Sequence, residues 1–257
     1  MAINPNELIL DRVRELIFTD LTTGEVLARL TSLEDSSLKT AAEGTDVTDS
    51  IGALITTLYR AKTGEFSATN SLLSLDLAAQ QMGSDKVVAA TGATITTPVT
   101  ETFTVSGTTI TLGHTPTNTI KYIYLLENKT LAKKYAVAAT ASATEFSIAT
   151  NTITLPTGVT SGTIYVEYEY ASESAVKVAN NTEKFPEAVG VKIFAIFRSV
   201  CNENIKYAGS IVAAKGKVDP TSVELALTTT GKHAFNVKFQ KDYCDENADL
   251  FSIIVAE

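Results

Sequence analysis

Short runs of strand-forming residues, separated by turn residues, recur along this chain and constrain its fold more than any other feature. Much of the polar content is Thr and Ser, and Thr is β-branched, so it suits a pleated, half-buried surface. Between residues 96 and 171 the runs are short and regularly spaced, which is typical of a small β-sandwich. The seven runs are Thr102–Val105, Thr109–Leu112, Ile120–Leu126, Lys134–Ala138, Thr144–Ile148, Thr152–Leu155 and Thr163–Tyr170. The sequence therefore predicts a mainly β protein.

A long polar stretch in the first third is difficult to place in a monomer. From Asp35 to Asp49 the residues are small, polar and rich in Thr, and a loop of that length without structure is uncommon in a compact domain. Ile51–Ala61, by contrast, has the composition of a strand. A long hairpin with arms near Leu38–Val47 and Leu58–Ala68 accounts for both segments. Its side chains are mostly small or polar on both faces, unlike those of a sheet that covers a core.

The remaining elements are one helix and several longer strands. A helix of about three turns is predicted over Leu72–Met82, with Asn70–Ser71 as its N-cap and Gly83 as its C-terminal cap. The other strands are expected at Arg12–Thr19, Val26–Leu33, Val189–Val200, Lys206–Ala213, Ala234–Phe239 and Leu250–Val255.

Charge and composition narrow the class of protein. The chain has 257 residues, a formal net charge of −8 and a pI near 4.9, so it lacks the basic face that grips nucleic acid by its phosphates. Cys201 and Cys244 are too few for a disulfide framework and are expected to be reduced, partly buried thiols. The first residues have no signal-peptide pattern, and no run approaches the roughly 18 apolar residues of a membrane span. We expect a soluble protein that the general secretory route does not export.

The sequence predicts no catalytic, metal or cofactor site. His114 and His233 have no ligand-type neighbours at metal spacing and are expected to be solvent-exposed. The acidic segment Asp242–Asp249 lacks the Gly and terminal Glu of a calcium loop, so a solvated turn is expected there. Tyr168 and Tyr170 share one face of a predicted strand, which suits sheet packing better than stacking on a sugar or base. We therefore expect that the protein is not an enzyme.

The order of elements resembles the tail tube (major tail) proteins of long-tailed bacteriophages. The resemblance covers residues 10–95 and 172–257 and is one of pattern. The shared order is a hairpin, a long polar segment, a second hairpin arm and a helix. Near the C-terminus follow two strand-like segments joined by a turn, and a last apolar strand. The residues that carry it are Asp20–Glu25, Arg60–Ala68, Asn70–Leu73, Gln81–Gly83, Val223–Leu227, Phe235–Phe239 and Asp242–Cys244.

The resemblance implies a structural protein with a β-sandwich, a flanking helix and a long hairpin. Such subunits form hexameric rings that stack into a tube, and their hairpins join into a β-barrel around the channel for DNA. A discontinuous tube domain would comprise residues 1–95 and 172–257, with an inserted immunoglobulin-like β-sandwich at 96–171 displayed outside the tube. The lumen is expected to be hydrated and predominantly negative, so that DNA passes without binding. The candidate lumen-lining residues are Lys39, Thr40, Glu43, Thr45, Asp46, Arg60, Lys62 and Glu65.

The implied partners are other copies of the chain, the tape measure, terminator and tail tip or baseplate proteins, and passing viral DNA, but no membrane. The implied location is the virion tail, assembled in the host cytoplasm. Three other hypotheses remain open at this point. The chain could be a capsid decoration or other virion protein, an enzyme without a readable motif, or a carbohydrate-binding β-sandwich whose glycan binding is lost on Tyr168→Ala.

Overall fold

The computed structural model describes residues 7–201, 204–221, 223–225, 231–243 and 249–256. In this part of the chain the structure is mainly β, with one helix, which confirms the predicted fold class. The strands and helix, in chain order, are β1 (Leu8–Asp20), β2 (Val26–Leu30), β3 (Leu33–Thr48), β4 (Leu54–Asn70), α1 (Leu75–Met82), β5 (Val87–Val88), β6 (Ile95–Thr104), β7 (Thr109–Thr111), β8 (Tyr122–Glu127), β9 (Thr130–Val137), β10 (Glu145–Ala149), β11 (Thr152–Thr154), β12 (Thr163–Ser172), β13 (Val176–Lys177), β14 (Ala188–Ser199), β15 (Lys206–Val218), β16 (His233–Phe239) and β17 (Ser252–Ala256).

The chain separates into two compact units. Unit 1 consists of the described residues of Met1–Lys86 and Val178–Glu257, and unit 2 is Val87–Lys177. The sequence places the limits of the inserted segment at 96 and 171. Pairing of β5 with β13 extends the compact unit on both sides of those limits.

Unit 1 is built on one antiparallel sheet with the strand order β2-β1-β14-β15-β16-β4-β3, and β17 pairs with β15. Alternation of apolar and polar residues orients the strands. In β16, Phe235, Val237 and Phe239 are buried, while Lys238 between them is exposed. These buried side chains and Leu77 of α1 belong to a single core. Full burial of each large apolar side chain contributes about 1.5–3 kcal/mol.

Helix α1 starts later than the sequence predicts. β4 continues through Asn70, which pairs with His233, so the chain needs further residues to leave the sheet before it can turn into a helix. The N-cap is therefore Ser74, whose hydroxyl accepts the N–H of Leu77 at 3.2 Å, and the predicted N-cap at Asn70–Ser71 is wrong. The predicted C-cap is confirmed, because Gly83 has φ of +62° and caps Ala79 and Gln80.

Unit 2 has its own core and its own sheet. Its seven strands follow the order β6-β12-β8-β9-β10-β11-β7, and each of the seven predicted runs overlaps one of them. β9 and β10 are parallel, and the other pairs are antiparallel. The largest fully buried side chains of its core are Phe146, Leu112, Ile123, Ile153 and Ile164.

Candidate assembly interface

The polar stretch of the first third forms one long hairpin from β3 and β4. It contains both predicted arms and extends beyond them at each end. The carboxylate of Asp49 organises the connection by accepting the N–H groups of Ile51 at 3.0 Å and Ala53 at 2.8 Å. Gly52 supplies the left-handed conformation of this turn, with φ of +84°.

A β-bulge divides the hairpin into two parts. Ala41 pairs with Thr63 and Glu43 pairs with Arg60, so two residues of β4 oppose one of β3. The bulged pair includes Ala61 at φ of +50°. Bulges of this kind bend a strand and increase its twist. Residues 42–62, beyond the bulge, are called the distal hairpin below.

The distal hairpin makes no pairing with any other described strand. β16 runs beside β4 only from Asn70 to Gly64, and β3 pairs with β4 alone. From Lys39 to Thr63 every residue except Thr57 is exposed. An isolated two-stranded ribbon is marginally stable in water, and its open edges are templates for pairing with another chain. The distal hairpin therefore has the properties of an element that is completed by a partner.

Large apolar side chains are concentrated on the distal hairpin. Tyr59 lies across from Gly44, where an added Cβ would come within 3.2 Å of the ring. Such packing of an aromatic ring over a cross-strand glycine helps to fix the register of a ribbon. The exposed fractions are 87% for Ile51, 74% for Tyr59, 64% for Ile55, 61% for Leu54, 44% for Leu58 and 37% for Val47. Contiguous exposure of this kind marks an interaction surface.

The pairing register defines two faces of the hairpin. Residues opposite each other share a face, and successive residues alternate. Leu38 lies opposite Phe66, and both contact the core of unit 1, so their face is called the core-side face. Lys39 lies opposite Glu65 on the other face, called the outer face.

The predicted lumen residues are divided between these faces. Alternation along β3 places Thr40 and Asp46 on the core-side face, where Asp46 accepts the hydroxyl of Thr57 at 2.7 Å. Lys62 lies within the bulge. The outer face collects the other five, which are Lys39, Glu43, Thr45, Arg60 and Glu65.

The outer face of the hairpin is balanced in charge. Lys39 lies opposite Glu65 and Glu43 lies opposite Arg60, so two positive and two negative side chains are paired across the strands. Opposite charges at such positions stabilise a sheet modestly. The hairpin itself thus adds no net negative charge to this face.

Polar contacts continue the outer face onto β16. The amide of Asn236 donates to Glu65, whose other neighbour across the ladder is Lys238. The ammonium of Lys238 lies 2.6 Å from a carboxylate oxygen of Asp219. Hydrogen bonds from Lys238 and from Thr221 lower the pKa of Asp219 to about 2.

His233 is the residue whose environment differs most from its prediction. It is fully buried rather than solvent-exposed, because β16 turns it into the core of unit 1. Its Nε2 hydrogen-bonds to Oε1 of Gln81, whose amide donates to the carbonyl of Ala234 at 3.3 Å. Nδ1 has no hydrogen-bond partner, and burial lowers the pKa of the imidazole. A buried neutral histidine of this kind connects α1 to the sheet.

Cys201 is exposed, so the prediction of a partly buried thiol is wrong at this position. Its Sγ donates to a carboxylate oxygen of Glu7 at 3.1 Å, and this hydrogen bond, together with the negative charge of Glu7, raises the pKa of the thiol. Cys244 lies outside the described residues.

His114 is exposed, and its ring stacks on Tyr170 with centroids 3.8 Å apart. Most of the acidic segment between Asp242 and Asp249 lies outside the described residues. In the part of the chain that the structure describes, no group of three or more His, Cys, Asp or Glu could hold a metal ion. The same part contains no helix that is long and apolar enough to cross a membrane.

Comparison with models of protein families matches residues 8–253 to the family described as the YomU/Tube protein family. The matched segment includes the long hairpin, helix α1 and the whole of unit 2. A comparison with curated proteins finds no match.

Proposed function

Because the chain belongs to the YomU/Tube protein family and is a structural tail tube protein of a bacteriophage, we propose that it closes into rings that stack to form the tube. Six subunits per ring is the number that the resemblance implies. The role is structural, and the subunit acts by its shape and contacts. Ring closure is a heterologous contact in which two different surfaces of neighbouring copies meet.

The distal hairpin is the observation that carries this proposal. It exposes six large apolar side chains and leaves both edges unpaired by any described strand. Such a ribbon is costly in a monomer and becomes stable when a neighbouring copy pairs with it and covers its apolar residues. A series of subunits that each add two strands in this way produces a closed barrel.

The outer face of the hairpin is the surface that we assign to the channel. The core-side face is covered by the core of unit 1 at Leu38 and Phe66, so only the outer face can form an uninterrupted wall. The lumen-lining residues are then Lys39, Glu43, Thr45, Arg60 and Glu65, whereas Thr40 and Asp46 point away from the channel. At these positions the outer face carries two positive and two negative side chains, so it offers no basic row that would hold the phosphates of passing DNA.

The other parts of the tail follow from the same role. The other partners are the tape measure, terminator and tail tip or baseplate proteins, and the tube is assembled in the host cytoplasm as part of the virion tail. We assign tube formation to residues 1–95 and 172–257, and we treat the inserted domain at 96–171 as an appended module.

Negative-stain electron microscopy of the purified full-length protein over a range of concentrations tests the proposal. We expect hollow tubes of uniform diameter, and end-on class averages that give the ring number. A protein that remains monomeric or forms only small closed oligomers at the highest concentration is not a tube subunit of this kind.

A further inference from the structure

A groove opens on unit 2 where two neighbouring strands separate. β12 pairs with β8 only from Thr163 to Tyr165, the last pair being Tyr165 with Tyr124. Beyond that point β12 continues along β6, and β8 continues along β9. The space between them is about 290 Å³ and is lined, among other residues, by Tyr122 and Glu167. This volume lies near the lower end of the roughly 300–1,000 Å³ range of small-ligand sites.

One wall of the groove is held in place by the loop at residues 114–119. The N–H of Thr117 donates to the carbonyl oxygen of Glu169 at 2.8 Å, and the amide of Asn118 donates to its carboxylate at 2.9 Å. Pro116 bridges to Tyr170, on which the ring of His114 stacks. A wall fixed by this many contacts is preorganised, which lowers the entropic cost of binding a ligand.

Tyrosine rings lie beside the groove, on the side of the unit 2 sheet that faces away from the core of that unit. The ring centroids of Tyr124 and Tyr165 are 6.4 Å apart, and Tyr122 is 43% exposed. Ile123, between the two β8 tyrosines, is fully buried in the core of unit 2. That core is therefore complete without these tyrosines. Tyr122 is the most exposed of these rings and stays accessible although Lys134 approaches it, and its hydroxyl both donates and accepts hydrogen bonds.

The charges around the groove balance. Lys121 lines it, and Nζ of Lys134 lies 4.5 Å from the ring centroid of Tyr122. Glu167 and Glu169 line the opposite side. Two positive and two negative groups exclude the basic surface that a polyanion requires. Donors, acceptors and aromatic rings in one groove suit an uncharged ligand with apolar ring faces and hydroxyl groups at its rim.

We propose that this groove binds a neutral saccharide. One sugar ring stacks on the exposed tyrosine surface of β8, and its hydroxyl groups donate to the carboxylate of Glu167 and accept from the ammonium of Lys121. The role that the sequence suggested for Tyr168 changes with the structure. Tyr168 is 5% exposed, and its hydroxyl accepts the N–H of His114 at 3.1 Å. Tyr168→Ala would open a cavity in the core, so it does not test binding.

Saturation-transfer NMR on the full-length protein tests the proposal with four probes: glucose, galactose, N-acetylglucosamine and a β-linked N-acetylglucosamine trimer. We expect saturable binding of at least one probe, with a Kd on the order of millimolar for a single ring. Tyr122→Ala should weaken binding at least tenfold and Glu167→Gln several-fold. Tyr122→Phe keeps the ring and should retain most of the binding. Tyr243→Ala is the matched control, because Tyr243 is 94% exposed and lies in unit 1.

Thermal melting of each variant checks that unit 2 remains folded. The proposal is overturned if none of the four probes binds saturably, or if Tyr122→Ala binds as tightly as the unmodified chain. Salt-dependent binding of heparin that is lost on Lys121→Ala, without binding of the neutral sugars, would identify an anion site instead.

Discussion

Removal of two apolar side chains from the distal hairpin should block tube formation while leaving the subunit folded. Ile51 and Tyr59 are its two most exposed apolar residues, at 87% and 74%, and neither belongs to a core. Full burial of such a side chain contributes about 1.5–3 kcal/mol. Scaled by their exposure, the two side chains represent about 2.5–5 kcal/mol for each subunit added to the tube. Since every 1.4 kcal/mol is about a factor of ten, Ile51→Ser/Tyr59→Ser should raise the critical concentration roughly 60- to 4,000-fold.

The critical concentration is measured by sedimentation of assembled tubes over a dilution series, with electron microscopy of the pellet. Tyr243→Ser is the matched control, because it removes a tyrosine of unit 1 that is even more exposed, at 94%, and it should leave assembly unchanged. Thermal melting of the unassembled double variant should match that of the unmodified subunit within a few degrees. An unchanged critical concentration in the double variant would refute the assignment of the distal hairpin as the assembly element.

Three further predictions concern the stability of unit 1. Burial lowers the pKa of His233 below 6.5, so below about pH 6.5 the unfolded chain binds this proton more readily than the folded state does. The Tm should therefore fall as the pH drops below about 6.5, and His233→Gln should reduce this pH dependence. The pKa of Asp219 is lowered from 3.8 to about 2, so its carboxylate stabilises the folded state above pH 3.8, and this stabilisation is lost towards pH 2. When Tm is measured against pH, Asp219→Asn should lack the corresponding loss of stability. Gly83→Ala should lower the Tm well beyond Gly24→Ala, because both glycines have positive φ but only at Gly83 would the new Cβ meet backbone, 2.2 Å from the carbonyl carbon of Phe185. Similar melting temperatures for the two alanine variants would show that this close approach is not a constraint.

Local pattern determines much of this fold, because strand alternation and turn residues act over a few positions. The alternation of β16 predicts its buried face, and Gly83 predicts the end of α1, since each feature depends on its immediate neighbours. The start of α1 does not follow from the sequence. Asn70 and Ser74 are both good N-cap residues, and only the pairing of Asn70 with His233 across the sheet excludes the first.

The sequence predicts which segment forms the candidate assembly interface, but not which side chains share one face of it. The small polar residues of the hairpin signal an element that covers no core. The face that each residue of β4 occupies beyond Thr63 depends on the bulge at Ala61, and no local pattern marks that bulge. The same limit applies to His233, because a histidine that begins a strand gives no sign of the glutamine that will face it from a helix about 150 residues earlier.

Unit 2, which carries the proposed saccharide groove, closes on itself where the chain enters and leaves it. Its first and last residues pair as β5 and β13, where Val88 lies opposite Val176, so the two ends of the inserted segment lie side by side. Its stability comes from its own core. The distal hairpin belongs to unit 1 and the saccharide groove to unit 2, so the two proposed roles share no residue. A tube repeats the groove once in every subunit. The affinity proposed for one groove is millimolar, and a tube that engages a repeating glycan surface through many grooves should bind it more strongly, because each further contact is intramolecular. We therefore expect preassembled tubes to bind a multivalent glycan more tightly than free subunits do. Ile51→Ser/Tyr59→Ser subunits, which should not assemble, should keep only the weak affinity of a single groove.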